Sequence, residues 1–133
     1  MSQMLDQVIA TLRRRRFRYA SEAELQAAIR KAFDEDLIPY DPEHVLSAAD
    51  RVDFFVAAVH ADQVMTEPPR GIGVEVKING SPAELTRQLM RYAEHGRVDA
   101  LVVFTDKLRL ARALPDTILG KRVEVICCAE AAL

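Results

Sequence analysis

The sequence contains few of the residues that mark disulfide-rich, disordered or membrane-spanning proteins. Its 133 residues include two cysteines, five glycines, six prolines and no tryptophan. Because Cys127 and Cys128 are adjacent, they can form neither an ordinary loop-closing disulfide nor a C-x-x-C metal pair, and we expect two buried thiols. The scarcity of glycine and proline excludes collagen-like and disordered classes. No apolar run reaches the length of a membrane span, which predicts a globular protein without a membrane partner.

The length and the charge pattern narrow the expectation further. A chain of 133 residues can bury a sizeable core, which predicts one domain over residues 1–133. Residues 1–12 are amphipathic and lack a signal-peptide core, which favours a cytoplasmic location. The formal net charge is −2, yet the first 31 residues carry seven basic and three acidic side chains. The arginines that could contact a nucleic acid there are Arg13, Arg14, Arg15, Arg16 and Arg18.

Apolar periodicity and turn residues predict four helices and five strands. The predicted helices span 3–16, 22–35, 82–95 and 108–114, and the predicted strands span 45–48, 52–59, 72–78, 100–104 and 122–127. Ser21 is a candidate N-cap for the second helix, and Glu24 stands where a capping box needs an acid. Residues 60–70 are predicted to be a long loop. The helix at 82–95 is expected to cross over between two apolar strands, so we predict an α/β fold with a central mixed β-sheet flanked by helices.

Asp53, Glu75 and Lys77 interrupt two strands that are otherwise apolar. Glu75 and Lys77 are two residues apart, so a strand places them on one face, with Val74 and Val76 on the other. An amphipathic edge strand with one solvated face produces the same pattern and is the commoner cause. If the strands of Asp53 and Glu75 are antiparallel neighbours, the two carboxylates can converge beside Lys77. Two carboxylates, a main-chain carbonyl such as that of Val76, and waters suit Mg²⁺.

The order of these three residues resembles the pattern of the PD-(D/E)XK nuclease superfamily: an acid on one strand, then Asp or Glu, any residue, and Lys on the next. The similarity extends to a glutamate on the preceding helix and to a following helix that carries Gln88. For the glutamate we choose Glu22 over Glu24, because Glu22 shares a face with apolar residues. The resemblance covers residues 22–104. One departure is Val52, which stands where the family's name has proline.

The resemblance implies a restriction-endonuclease-like αβββαβ core, similar to compact Holliday-junction resolvases. It also implies a metal-dependent DNA endonuclease, acting on branched or otherwise structured DNA, with Mg²⁺ or Mn²⁺ held by Asp53, Glu75 and the Val76 carbonyl. The candidate catalytic residues are Asp53, Glu75, Lys77, Glu22 and Gln88. The candidate nucleic-acid contacts are Arg13, Arg14, Arg15, Arg16 and Arg91. Cutting both strands requires two sites, which favours a homodimer.

The residues leave several alternatives open. A catalytically inactive binding or assembly module could keep the nuclease-like sheet, and the same chemistry could act on RNA, because nothing identifies a reader of the 2′-hydroxyl. An exposed polar helix face explains Gln88 and Arg91 equally well. The three histidines, His44, His60 and His95, show no metal-ligand spacing and are expected at the surface.

Overall fold

In this computed structural model, four helices and six strands make up the described part of the chain, residues 2–57 and 68–128. The helices are α1 (Ser2–Arg14), α2 (Glu22–Glu35), α3 (Pro82–Ala93) and α4 (Leu108–Ala113). The strands are β1 (Asp41–Val45), β2 (Arg51–Val56), β3 (Gly71–Val76), β4 (Val98–Thr105), β5 (Thr117–Ile118) and β6 (Lys121–Cys127). No helix in this part of the chain is long and apolar enough to cross a bilayer.

The strands form one mixed sheet in the order β1-β2-β3-β4-β6-β5. Strands β1, β2 and β3 pair antiparallel, whereas β3, β4 and β6 pair parallel. Helix α3 supplies the crossover from β3 to β4 that a parallel pair requires. The predicted α/β class with a mixed sheet flanked by helices is confirmed, and the order from α2 to β4 is αβββαβ.

Apolar side chains cover both faces of this sheet. One layer joins α1 and α2 to the sheet through buried residues that include Leu12, Leu25 and Phe33. The other joins α3 and α4 to the opposite face through residues that include Leu89 and Leu110. Each such side chain contributes about 1.5–3 kcal/mol by leaving water. The alternation of side chains along the strands sends successive residues into the two layers.

The helix starts follow the predicted chemistry. The Ser21 Oγ accepts a hydrogen bond from the Glu24 N–H at 3.2 Å, which confirms this N-cap. Helix α3 begins in the same way, with the Ser81 Oγ accepting from the Glu84 N–H at 3.1 Å and Pro82 in the first turn. Both caps fix the direction in which a helix leaves the end of the sheet that carries Glu75.

Three strand predictions need correction. The first strand is Asp41–Val45 and not 45–48: β1 pairs only with β2, and an edge strand tolerates Pro42 because one side of it makes no ladder bonds. The short strand β5 was not predicted, since two residues carry too little pattern. Strand β3 stops at Val76, so Lys77 follows the strand. The predicted end of β2 at Val59 and most of the predicted loop at 60–70 lie outside the described residues.

Candidate functional site

The ladder between β2 and β3 ends just before the two predicted carboxylates. At this end the register closes with Phe54 opposite Val74. Beyond it, the Asp53 N–H donates to Oε1 of Glu75 at 3.2 Å, and the Val76 N–H donates to Oδ2 of Asp53 at 2.8 Å. Carboxylate oxygens thus replace ladder carbonyls as acceptors for two backbone donors. The antiparallel pairing on which the sequence hypothesis depends is confirmed.

Asp53 leaves the strand at a break in the normal alternation. Val52 and Phe55 both pack in the layer beneath α3, whereas Phe54 packs beneath α1 and α2. Although they are adjacent, Asp53 and Phe54 both line a cleft of about 150 Å³ beside α2. Strand β2 is therefore twisted at Asp53. The Asp53 carboxyl group approaches Glu75 from the side of the sheet that α2 covers.

Asp53 and Glu75 oppose each other's ionisation. The Glu75 side chain is almost fully enclosed, with 4% of the residue exposed. Burial, followed by the negative charge of Asp53, raises the pKa of Glu75 to about 9. Burial also raises the pKa of Asp53, although the hydrogen bond from Val76 acts in the opposite direction. In the absence of a cation, burial and the charge of Asp53 therefore favour the protonated form of Glu75 at neutral pH.

Tyr92 on α3 positions the Glu75 carboxyl group from beneath. Its hydroxyl lies 3.3 Å from Oε2 of Glu75, donates to the Arg51 carbonyl at 2.7 Å, and accepts from Nε2 of Gln88 at 2.8 Å. A phenol has one proton, and the hydroxyl lies within donating distance of both the Arg51 carbonyl and Oε2 of Glu75. The hydrogen bond from Tyr92 lowers the pKa of Glu75, but burial and the charge of Asp53 outweigh it.

Glu22 belongs to the same neighbourhood and Glu24 does not. Oε1 of Glu22 accepts a hydrogen bond from the Ile78 N–H at 3.3 Å, just past the end of β3. After burial and local hydrogen bonds, the charge of Glu22 raises the pKa of Asp53. Glu24 instead accepts from the Ala20 N–H at 2.5 Å and serves the start of the helix. The structure therefore places Glu22, and not Glu24, near the carboxylate pair.

Lys77 lines an open cleft of about 300 Å³ between the end of β3 and α3. We call it the strand-end cleft, and its other lining residues are Glu84, Arg87, Gln88 and Arg91. The charge of Lys77 lowers the pKa of Asp53, although burial outweighs it. Gly80, with φ at 101°, leaves room for the lysine, because a Cβ there would lie 3.2 Å from Cε of Lys77. Three cations and one carboxylate make this cleft suited to an anion.

Arg91 is held at the rim of the strand-end cleft by a buried acid. Its Nε lies 3.1 Å from Oδ1 of Asp50, and Nε2 of His95 lies 2.9 Å from Oδ2 of the same carboxylate. Hydrogen bonding to His95, and then to Arg91, lowers the pKa of Asp50. Arg91 is therefore positioned on α3, but part of its charge is already balanced.

Three of the other predicted nucleic-acid contacts lie apart from the carboxylate pair. Arg14 and Arg15 each approach a different oxygen of Asp36 to 2.5 Å, at the C-terminal end of α2, and Glu22 begins the opposite end. Arg13 lies 3.9 Å from a carboxylate oxygen of Glu124 on β6. Arg13, Arg14 and Arg15 are thus not brought together with the candidate catalytic residues.

The carboxylate pair fits a hard divalent cation better than it fits two free charges. Mg²⁺ commonly takes only one or two protein carboxylates and keeps several waters. A cation at Asp53 and Glu75 would replace the proton that the raised pKa of Glu75 retains. Over residues 2–57 and 68–128, no group of three or more histidine, cysteine, aspartate or glutamate side chains could hold a metal ion. The fit rests on these two side chains, and the Val76 carbonyl remains a predicted ligand.

Comparisons with known proteins add no relationship to this geometry. A scan against protein-family models found no match, and a search of curated proteins found none. The resemblance to PD-(D/E)XK nucleases therefore remains a prediction from the sequence.

Tyr92 is a residue of the candidate site that is not among the predicted catalytic residues. Its side chain is buried, with 1% of the residue exposed, and its hydroxyl contacts Glu75. Gln88, predicted to be catalytic, donates to Tyr92 in this structure. The available signal was the i, i+4 spacing of the two residues, which puts them on one face of α3.

Proposed function

We propose that this protein is a metal-dependent endonuclease that hydrolyses phosphodiester bonds in DNA. The observation that carries the proposal is the meeting of Asp53 and Glu75 at the end of the β2–β3 ladder, next to a cleft lined by Lys77. A buried acid pair is costly unless a cation or a proton compensates for it. A cationic cleft beside such a pair has the charge pattern that a phosphodiester and its metal require.

Each residue has a part that its surroundings support. Asp53 and Glu75 would hold the ion, and Tyr92 would keep the Glu75 carboxyl group oriented. When bound, Mg²⁺ supplies polarisation of a phosphoryl oxygen and a water of lowered pKa. The Lys77 ammonium would stabilise negative charge that develops on the phosphate in the transition state. Arg87 shares the strand-end cleft and would contact the backbone of the substrate.

The substrate follows from what the cleft offers. Lys77 and the arginines beside it can neutralise phosphates, which is recognition of the DNA backbone and not of base sequence. We therefore expect weak sequence preference and include branched or otherwise structured DNA among the substrates. A homodimer and a cytoplasmic location remain predictions of the sequence.

The test is cleavage of labelled duplex, flapped and four-way-junction DNA by the full chain with Mg²⁺ or Mn²⁺. Asp53→Asn, Glu75→Gln and Lys77→Ala should each lower the rate by about 100-fold or more, because each removes charge from the reacting centre. Glu94→Gln is the control: it removes an exposed carboxylate at the C-cap of α3, away from the proposed reacting centre, and should retain the rate. If the three site variants cleave DNA as fast as Glu94→Gln and the wild type, the assignment of the site is refuted.

A second candidate function is a non-catalytic binding or assembly module with the same sheet. The near-complete burial of Glu75 and its raised pKa favour this candidate, because a proton can compensate the pair without a metal. Calorimetric titration with Mn²⁺ separates the two. Binding that is lost in Asp53→Asn supports the nuclease, whereas no binding to the wild-type protein supports the module.

A further inference from the structure

A second cationic surface lies on the segment that joins α1 to α2. This segment, residues 15–20, is here called the arm. Exposure alternates along it: Arg15, Phe17 and Tyr19 are partly buried, whereas Arg16 and Arg18 are exposed. An extended segment sends alternate side chains to opposite sides, so Arg16 and Arg18 project from the same side of the arm. At 3.3 Å per residue, their Cα atoms are about 6.6 Å apart.

The partly buried side chains of the arm fix it to the C-terminal end of strand β4, inside the sheet. Phe17 packs edge to face on Phe104 of β4, with ring centroids 5.4 Å apart. The Tyr19 hydroxyl donates to Oδ2 of Asp106 at 2.7 Å, just past the end of the same strand. The contact between the Phe17 and Phe104 rings contributes about 0.5–1.5 kcal/mol beyond burial. The positions of Arg16 and Arg18 are therefore set by anchored neighbours on either side.

The start of the arm is fixed as well. Arg15 reaches Glu35 at 2.6 Å and Asp36 at 2.5 Å, and Asp36 also accepts from the Thr11 hydroxyl at 2.6 Å. These contacts commit Arg15 to the junction of α1 and α2. The next exposed cations, Arg16 and Arg18, have no such carboxylate among the described contacts, and they line a cleft with Lys31 of α2.

This arm cleft has a volume of about 360 Å³ and a strongly positive lining. Four of its residues are cations and one is an acid: Arg15, Arg16, Arg18, Lys31 and Glu35. The arm and the candidate site lie at the same end of the sheet, because the Lys77 N–H donates to the Phe104 carbonyl at 2.9 Å and Phe17 covers the Phe104 ring. A ligand with many phosphates that passes over this end of the sheet would meet both cationic surfaces.

We propose that Arg16, Arg18 and Lys31 bind the phosphates of a nucleic-acid strand that continues beyond the strand-end cleft. Two exposed arginines on one side of the arm can contact neighbouring phosphates of one strand. The inference rests on the proposed function and extends it: the substrate is a polynucleotide several nucleotides long, and a single small phosphodiester would engage only Lys77 and its neighbours.

The experiment is a titration of a fluorescent 30-base-pair duplex with the full chain, without metal, at several salt concentrations. Arg16→Glu/Arg18→Glu should bind more weakly and lower the slope of log K against log salt by about 1.8, because about 0.9 is lost for each phosphate contact. Arg16→Lys/Arg18→Lys should retain both values. Arg112→Glu, at an exposed residue of α4, makes half of this charge change elsewhere and should leave the slope unchanged. Circular dichroism checks that each variant is folded.

The outcomes for the arm and for hydrolysis can be told apart. The arm proposal is overturned, even if DNA is cleaved, if the salt slope of Arg16→Glu/Arg18→Glu is unchanged. It is also overturned if DNA affinity falls no more in this variant than in Arg112→Glu. Hydrolysis of bis(p-nitrophenyl) phosphate with Mn²⁺ tests the carboxylate site alone and should be the same in wild type and arm variants. If the wild type hydrolyses neither substrate while the salt slope still responds, the nuclease proposal fails and the arm surface stands. Binding to anionic lipid vesicles that the arm variants lose, with DNA binding unchanged, would also overturn the arm proposal.

Discussion

The Val76 N–H donates to the Asp53 carboxylate at 2.8 Å, at the point where β2 and β3 stop pairing through their backbones. The same carboxylate therefore links the two strands and is a proposed cation ligand. In return, Glu75 on β3 accepts from the Asp53 N–H at 3.2 Å. This reciprocal exchange makes the candidate site part of the sheet, so its geometry is as rigid as the strands.

The Tyr92 hydroxyl should contribute both to the free energy of unfolding and to metal affinity. Tyr92→Phe removes the hydroxyl that contacts the Arg51 carbonyl and Oε2 of Glu75, which should cost about 1–3 kcal/mol in urea unfolding. If Tyr92 orients a metal ligand, Mn²⁺ affinity should also fall by about 10–100-fold in calorimetry. Tyr40→Phe, in the aromatic cluster with Phe33 and Phe54, is the matched control and should change neither quantity appreciably. A Tyr92→Phe protein with unchanged Mn²⁺ affinity would limit Tyr92 to a structural part.

Stability without metal should fall as pH rises from about 4 to 9. The pKa of Glu75 is raised to about 9 in the folded state, whereas an unfolded glutamate titrates near 4.3. Between these values the folded protein binds the extra proton, so its contribution to stability is complete below the lower pKa and is lost as pH rises through the higher one. Urea midpoints across this range should show a smaller decline in Glu75→Gln. Parallel profiles for the two proteins would mean that Glu75 titrates normally.

Metal affinity should show the opposite dependence on pH. A divalent ion competes with the proton that Glu75 retains, so Mn²⁺ binding should tighten as pH approaches 9 and should release protons. Calorimetry in buffers of different ionisation enthalpy measures that release directly. Affinity that does not change between pH 6 and 9 would show that the ion does not displace this proton.

Gly71 should tolerate no side chain. A Cβ at Gly71 would lie 2.3 Å from the Val56 carbonyl oxygen of the neighbouring strand, so Gly71→Ala must push β2 and β3 apart. We expect a loss of about 1–3 kcal/mol in urea unfolding. Gly96→Ala is the control, because no atom lies within 4 Å of a Cβ built there. Equal stability of the two alanine variants would contradict the close approach of the strands.

Asp36 should stabilise the junction of α1 and α2 except in acid. Hydrogen bonds from Thr11, and then from Arg14, hold the pKa of Asp36 well below its usual range. Its contribution is therefore present above about pH 4, the value of an unfolded aspartate, and is lost as pH falls through the folded pKa. Asp36→Asn should lower the urea midpoint at pH 6 more than Asp34→Asn, which changes an exposed residue of the same helix. Similar midpoints for the two variants at pH 6 would show that this junction adds little.

Local chemistry made much of the fold readable in advance. Ser21, Glu24 and the period of Leu25, Ile29 and Phe33 defined α2, because capping and amphipathic spacing are properties of neighbouring residues. The apolar run of β4 indicated a strand buried on both faces, and α3 between β3 and β4 indicated a crossover. Strand β1 was not predicted at Asp41–Val45, because this segment contains Pro42, which a strand accommodates at a sheet edge, and the edge is a property of the whole sheet.

For the candidate site, the sequence by itself determined which side chains could carry charge and that Glu75 and Lys77 stand two residues apart. Only the tertiary structure decided that β2 twists at Asp53, that Tyr92 reaches Glu75, and that the arginine run is divided between ion pairs and an open cleft. These arrangements depend on distances between residues far apart in the chain, and burial then sets the pKa of Glu75. Periodicity describes neighbours along one element, and it carries no information on which elements meet.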